Sequence, residues 1–232
     1  MDTSKKLWVI GFPKSGNTWV CYLTSYIYNV PYFDFADLNS KPKQEWVYEN
    51  TRGQHEWDRI HGIDVLYKSH KMIEDLPVNT ETDLILYVHR DPRDVYISFK
   101  HFMENGLAEW KGRLQYRFFG FLGEKSRIKW FINQWENHLK EWAEIADLNV
   151  SYDSLLEEGA DYLYPILKKE KEDLDKEIVE SAIEKFSFKS MTKGRKRGSE
   201  DKDSFFRKGV SGDWENHLSK EESDLFNPVL KG

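Results

Sequence analysis

Cysteine is nearly absent from this chain: Cys21 is the only one among 232 residues. No intrachain disulfide can form, and a reducing, cytoplasmic compartment is expected. Long apolar runs are missing too. No stretch reads as a bilayer span or a secretory leader. Positive charge is in deficit: 34 Lys and Arg face 40 Asp and Glu, a formal net charge of −6. That balance argues against a general nucleic-acid binder and against a broad heparin-binding surface. Repeats and linkers are also lacking, so residues 1–232 are expected to form one domain. What is plentiful is aromatic: 15% of the chain is Phe, Trp or Tyr. That content serves either a large core or a pocket for a flat apolar ligand, and composition does not choose between them.

The most informative stretch is WVIGFPKSGNTW, from Trp8 to Trp19. Leu7 to Ile10 is an apolar run that reads as a buried strand. Gly11, Pro13 and Gly16 break it, and a helical pattern starts at Asn17 and runs to about Tyr28. Strand, glycine-containing turn and helix make a cradle for an anion. Turn N–H groups and the helix N-terminus converge on one spot, where the helix dipole adds partial positive charge. Lys14 lies inside the turn, and Ser15, Asn17 and Thr18 add short polar groups. The stretch is not a Walker A loop. Gly11 and Gly16 have that spacing, but Asn17 stands where the lysine belongs.

Further along, Tyr32 to Gly62 is irregular, with Trp46, Tyr48 and Trp57 among charges, and reads as loop and short helix lining the site. Asp64 to Lys68 and Leu84 to Val88 read as strands, the second typical of a central parallel strand. Pro92 starts a helix that runs to about Met103. Glu104 to Lys125, with Trp110, Tyr116, Phe118, Phe119 and Phe121, is expected to be a mobile lid or a wall of an acceptor pocket. Ser126 to Ala146 is a clear amphipathic helix. Leu148 to Tyr152 is another strand, and two helices are expected between Ser154 and Phe186. Met191 to Phe206, charged and holding Gly194 and Gly198, reads as a flexible loop. Ser219 caps a last short helix beginning SKEE. The alternation predicts an α/β fold, a P-loop-like three-layer α/β/α domain with a central parallel sheet. Ligands then sit at the carboxyl ends of the strands.

Three more stretches carry chemistry. In YKSHK, Tyr67 to Lys71, a strand ends on Lys68 and His70. A histidine titrates near neutral pH and can take the proton of a hydroxyl. His55, His61, His89, His101, His138 and His217 lack such a setting. In YVHRDPRDVYISF, Tyr87 to Phe99, Arg90 sits at a strand end and Ser98 lies eight residues on, inside the helix. A guanidinium fork plus a hydroxyl suits a phosphate dianion. Arg93 takes the structural pairing with Asp91 or Asp94. In FFRKGVSGDWENH, Phe205 to His217, Arg207 and Lys208 precede Gly209.

These four stretches, in this order, resemble the sulfotransferases that use 3′-phosphoadenosine 5′-phosphosulfate (PAPS), of the cytosolic type. The resemblance spans Trp8 to Trp214 and implies roles. His70 is the catalytic base, and Lys14 and Lys68 stabilise charge on the sulfuryl oxygens and the leaving 5′-phosphate. Lys14, Ser15, Gly16, Asn17 and Thr18 form the 5′-phosphosulfate loop. Arg90, Ser98, Arg207, Lys208 and Gly209 hold the 3′-phosphate. Trp19, Tyr152 and Phe188 surround the adenine. The implied acceptor is a small molecule bearing a hydroxyl, the nucleotide product is adenosine 3′,5′-bisphosphate, and no metal is implied. Asn17 replaces a threonine common in the family, and its amide still allows hydrogen bonding. The family's dimer motif falls at Glu215 to Asp224 and is not matched, which leaves oligomeric state open. Two alternatives stay open on the residues. A kinase or NTPase using ATP and magnesium lacks its lysine after Gly16, though Asp91 could face the metal. A non-catalytic nucleotide-binding protein has no need of Lys14 or His70.

Overall fold

The structure is a computed structural model that describes residues 5–35, 63–104, 110–201, 204 and 206–230. Trp46, Tyr48 and Trp57, expected to line the site, lie outside the described residues. The described strands are β1 (Lys5–Ile10), β2 (Tyr32–Asp34), β3 (Ile63–Ser69), β4 (Leu84–His89) and β5 (Leu148–Ser151). They form one sheet in the order β2-β3-β1-β4-β5, and every pairing is parallel.

Parallel strands buried on both faces need apolar residues at successive positions, not alternate ones. β1 meets that demand: Leu7, Trp8, Val9 and Ile10 are all fully buried. Leu7 and Val9 pack on one side with α1 (Asn17–Tyr28), and with Leu86 and Val88 of β4. Trp8 and Ile10 pack on the other side with Ile85, Tyr87 and Trp142. The indole N–H of Trp8 donates to Asp83 at 3.0 Å, so burial leaves it paired. Cys21 lies on α1, free and fully buried.

Two further helices extend the second side. They are α2 (Pro92–Glu104) and α4 (Glu124–Ala143), which share a cluster of Val95, Tyr96, Phe99, Ile128, Phe131 and Trp135 with Phe12. Helices therefore cover both faces, the expected three layers. β1 is the switch point, with β3 on one side and β4 on the other. Its last residue, Ile10, is level with Ser69 and with Tyr87. The segments that follow β1, β3, β4 and β5 thus emerge along one edge.

Several expectations need correction. Between Glu104 and Lys125, the stretch expected to be a lid or a wall, lies α3 (Trp110–Phe121), whose Tyr116 and Phe119 pack inward. β5 stops one residue early, because the Ser151 side chain accepts the Ser154 N–H and starts α5 (Tyr152–Glu158). Three helices, not two, precede Phe186: α5, α6 (Ala160–Lys168) and α7 (Lys176–Lys185). Beyond them come α8 (Phe188–Met191), a 3₁₀ turn over Asp213–Asn216, α9 (Lys220–Asp224) and α10 (Asn227–Leu230). Ser219 and Glu222 close a capping box on α9, as the SKEE pattern predicts. The stretch after Met191 is folded on itself. Arg195 donates to the Arg207 carbonyl at 2.8 Å, and Gly198 N–H donates to the Lys208 carbonyl at 2.9 Å.

Candidate active site

The cradle forms as its sequence order dictates. After Ile10 the chain doubles back, with Ser15 N–H donating to the Phe12 carbonyl at 3.1 Å. Lys14 (φ 75°) and Gly16 (φ 101°) both take left-handed backbone. At Gly16 a side chain is excluded twice over. Its φ suits glycine, and a Cβ would stand 2.3 Å from the Tyr152 ring. α1 then begins with no acidic residue in its first turn and no side-chain cap, so its positive end is not neutralised from within. The Ser15 hydroxyl is fully buried and has no hydrogen-bond partner. A phosphate or sulfate oxygen would supply one.

Four cations converge here. Burial is the main cause that lowers the Lys14 ammonium to about 8, and the positive charges of Lys68, Arg90 and Arg207 add to it. That mutual repulsion calls for an anion. Lys14 lies over the Phe102 ring, and acids hold Lys68, Arg90 and Arg207. Lys68 pairs with Asp34, its register neighbour at the end of β2, at 2.5 Å. Arg90 lies 3.8 Å from Asp94 and 3.9 Å from Asp153, donates to the Val210 carbonyl at 2.9 Å, and covers the Tyr152 ring. Its Nε is buried without a hydrogen bond, a second donor available to an anion. Arg207 bonds Asp213 at 2.6 Å and Glu200 at 2.7 Å, and Lys208 also bonds Asp213.

His70 follows β3 directly. Its Nδ1 is 2.7 Å from the Gly11 carbonyl, which can only accept, so Nδ1 carries the proton. Nε2 is left with a lone pair. The Asn17 amide donates to the same carbonyl at 2.8 Å and lies 3.1 Å from Nδ1. Asn17 is therefore turned inward as a strut under His70, and its side chain does not open onto the cradle. Burial first, then Lys68, lower the imidazole to about 4, so it is neutral at physiological pH.

Two of the three aromatic residues meet, and the third lies against Gly209. Trp19 meets Tyr152 edge to face at 5.7 Å, and its N–H donates to the Phe186 carbonyl at 2.9 Å. Phe188 sits so close to Gly209 that a Cβ there would fall 2.2 Å from its ring. Ser98 is half-buried on the second turn of α2, and Thr18 half-buried on the first turn of α1. Arg93 pairs with Asp91 at 2.5 Å, the structural role expected of it.

A model of the sulfotransferase domain matches residues 4–231. The chain belongs to the sulfotransferase family. Sulfotransferase 1C2 of Rattus norvegicus is 25% identical across 97% of this chain and 81% of that protein. Amine sulfotransferase of Oryctolagus cuniculus is 25% identical across 97% of this chain and 79% of its own length. The fold is shared with mouse sulfotransferase SULT7A1, solved in complex with PAP, at a TM-score of 0.65 and 18% identity. That match covers 97% of this chain and 83% of the mouse one.

What sequence reasoning missed in this sulfotransferase is the set of acids that hold its cations. Asp94 accepts N–H groups from Gly212 and Trp214, 118 and 120 residues away in the chain. Asp153 accepts the Asp91 N–H and the Ser211 hydroxyl. Nothing local marks Asp153, or the contacts of Asp94 with Gly212 and Trp214. Asp213 lies inside the recognised GDW, yet its grip on Arg207, Lys208, Asn216 and His217 shows only in three dimensions.

Proposed function

We propose that this sulfotransferase moves a sulfuryl group from PAPS to the hydroxyl of a small organic acceptor, with His70 as general base. The observation that carries the reading is the His70 tautomer. Because Nδ1–H donates to the Gly11 carbonyl, Nε2 is the basic atom, and the depressed pKa keeps it unprotonated. PAPS, when bound, supplies the sulfuryl group activated as a mixed anhydride with its 5′-phosphate. The acceptor oxygen forms the new bond to sulfur while the sulfur–oxygen bond to that phosphate breaks. The hydroxyl proton passes to His70 Nε2.

Lys14 and Lys68 stabilise the charge gathering on the sulfuryl oxygens and the leaving phosphate. Gly16, Asn17 and Thr18 offer backbone N–H groups at the positive end of α1 to the same phosphate, and Ser15 offers its hydroxyl. Arg90, Ser98, Arg207, Lys208 and Gly209 hold the 3′-phosphate. Trp19, Tyr152 and Phe188 enclose the adenine. The Ser15 hydroxyl and Arg90 Nε, both buried without a hydrogen bond, support this fit. Residues 1–232 act as one domain, and a cytoplasmic location suits the free, buried Cys21.

The test uses radiolabelled PAPS with a panel of phenols, alcohols and amines. Transfer to a hydroxyl compound is expected, and His70→Ala should cut it by about two to four orders of magnitude. Binding of adenosine 3′,5′-bisphosphate by the variant should stay near normal. Near-normal turnover in the variant would remove His70 from the mechanism, and label found only on amines would overturn the hydroxyl acceptor.

A further inference from the structure

Helix α3 is apolar on two opposite sides. Its inner side is accounted for: Tyr116 is buried and Phe119 stacks on Trp130 with ring centres 5.5 Å apart. Its outer side carries Leu114, Phe118 and Phe121, and Leu122 follows in the turn. They are 56%, 59%, 89% and 54% exposed. Spacings of four, seven and eight residues place them in one stripe. The described residues expose six large hydrophobic side chains, and four of them lie in these nine positions. Scattered exposed leucines are ordinary, but a contiguous stripe marks a contact surface.

The charge around the stripe is out of character with the chain. From residue 104 to 129 there are six cations, Lys111, Arg113, Arg117, Lys125, Arg127 and Lys129, against Glu104, Glu109 and Glu124. That is a net +3 in a protein whose total is −6. Arg117 and Lys129 are exposed, and Arg113 is half-exposed. Arg127 is spent on Glu124, and Lys125 bonds Glu221.

Three occupants can be weighed. A second copy meeting the same face would set cation against cation. The stripe, roughly 500 Å² by the sizes of such side chains, would also give an interface below the ~1,200 Å² of a stable pair. A nucleic-acid strand wants flat rings to stack on, and half the stripe is leucine. A bilayer with acidic headgroups satisfies both features, because apolar side chains enter the interface while arginines meet the headgroups.

We propose that α3 docks this protein on the surface of an anionic lipid bilayer, lying in the interface rather than crossing it. The test is co-sedimentation with vesicles of phosphatidylcholine, alone or mixed with phosphatidylserine. The full chain should pellet with the mixed vesicles, and much less with the neutral ones. Added salt should release it. Phe118→Asp with Phe121→Asp should lower partitioning by about tenfold or more, while adenosine 3′,5′-bisphosphate affinity confirms that the variant is folded. Arg113→Gln with Arg117→Gln, which leaves the apolar stripe intact, should remove the preference for phosphatidylserine. Equal partitioning of the Phe variant and the parent would overturn the proposal. So would equal binding to neutral vesicles, or a concentration-dependent dimer lost in the same variant without any vesicle binding.

Discussion

The lowered Lys14 ammonium gives the nucleotide site a pH dependence that can be worked out in advance. In the free protein Lys14 titrates at about 8, chiefly because it is buried and then because Lys68, Arg90 and Arg207 surround it. Phosphate groups favour the charged form, so binding must raise that value. Between the free and bound values, affinity falls with rising pH, by about tenfold per unit once well above 8. At pH 9 about 0.9 of a proton should be taken up per nucleotide bound, because that fraction of free Lys14 is neutral there. Calorimetric titration with adenosine 3′,5′-bisphosphate in buffers of different ionisation enthalpy reads both quantities without an acceptor. Lys14→Arg stays charged throughout, so its Kd should be flat across the same range with no proton uptake. Lys14→Met should bind about 10- to 100-fold more weakly even at pH 7, through loss of a charge-assisted contact. A parent Kd that does not change between pH 7 and 9.5, or the same rise in Lys14→Arg, would refute the reasoning.

Arg90→Ala and Ser98→Ala should weaken adenosine 3′,5′-bisphosphate strongly and adenosine 5′-monophosphate little; equal weakening measured by calorimetry would assign both residues to the fold instead. Gly209→Ala forces a Cβ against the Phe188 ring and should lower thermal stability by about 1–3 kcal/mol in a melting experiment. Asp213 is held below the ordinary carboxylate range by Lys208, Arg207 and Asn216, although burial opposes this. Its contribution to stability is present above the unfolded value near about 4 and is lost as pH falls through the lower folded one. Asp213→Asn should be less stable at neutral pH, with a flatter acid limb in urea midpoints taken from pH 6 to 2.

How far the sequence could be read depended on the range of the interactions. β1, α1 and the cradle between them rest on neighbours along the chain, and WVIGFPKSGNTW carries nearly all of that information. β4 was legible because LILYV is apolar at every position, the mark of a strand covered on both faces. α3 was not. Its inward residues Tyr116 and Phe119 and its outward residues Leu114, Phe118 and Phe121 lie on opposite sides, which blurs the helical period, and glycines flank it. Asp34 could be tied to Lys68 only once β2 was known to lie beside β3. Asp94 likewise needed the return of the chain at Gly212. The cations showed themselves by type and position, whereas the pairings of Asp34 with Lys68 and of Asp153 with Arg90 depended on strand order, which no local pattern encodes.

The burial of Cys21 has a practical use. Reagents attack the thiolate, and with no water around it this thiol is pushed far above its ordinary value. In the native protein it should be silent toward such reagents and react only when α1 lifts from β1. The rate of alkylation then times the opening of the nucleotide-binding half of the molecule. Saturating adenosine 3′,5′-bisphosphate should slow that rate. The same silence leaves the surface free for dyes, so that one cysteine engineered at Phe121 would be the sole fast-reacting position on the described surface, and its fluorescence would report contact with a bilayer.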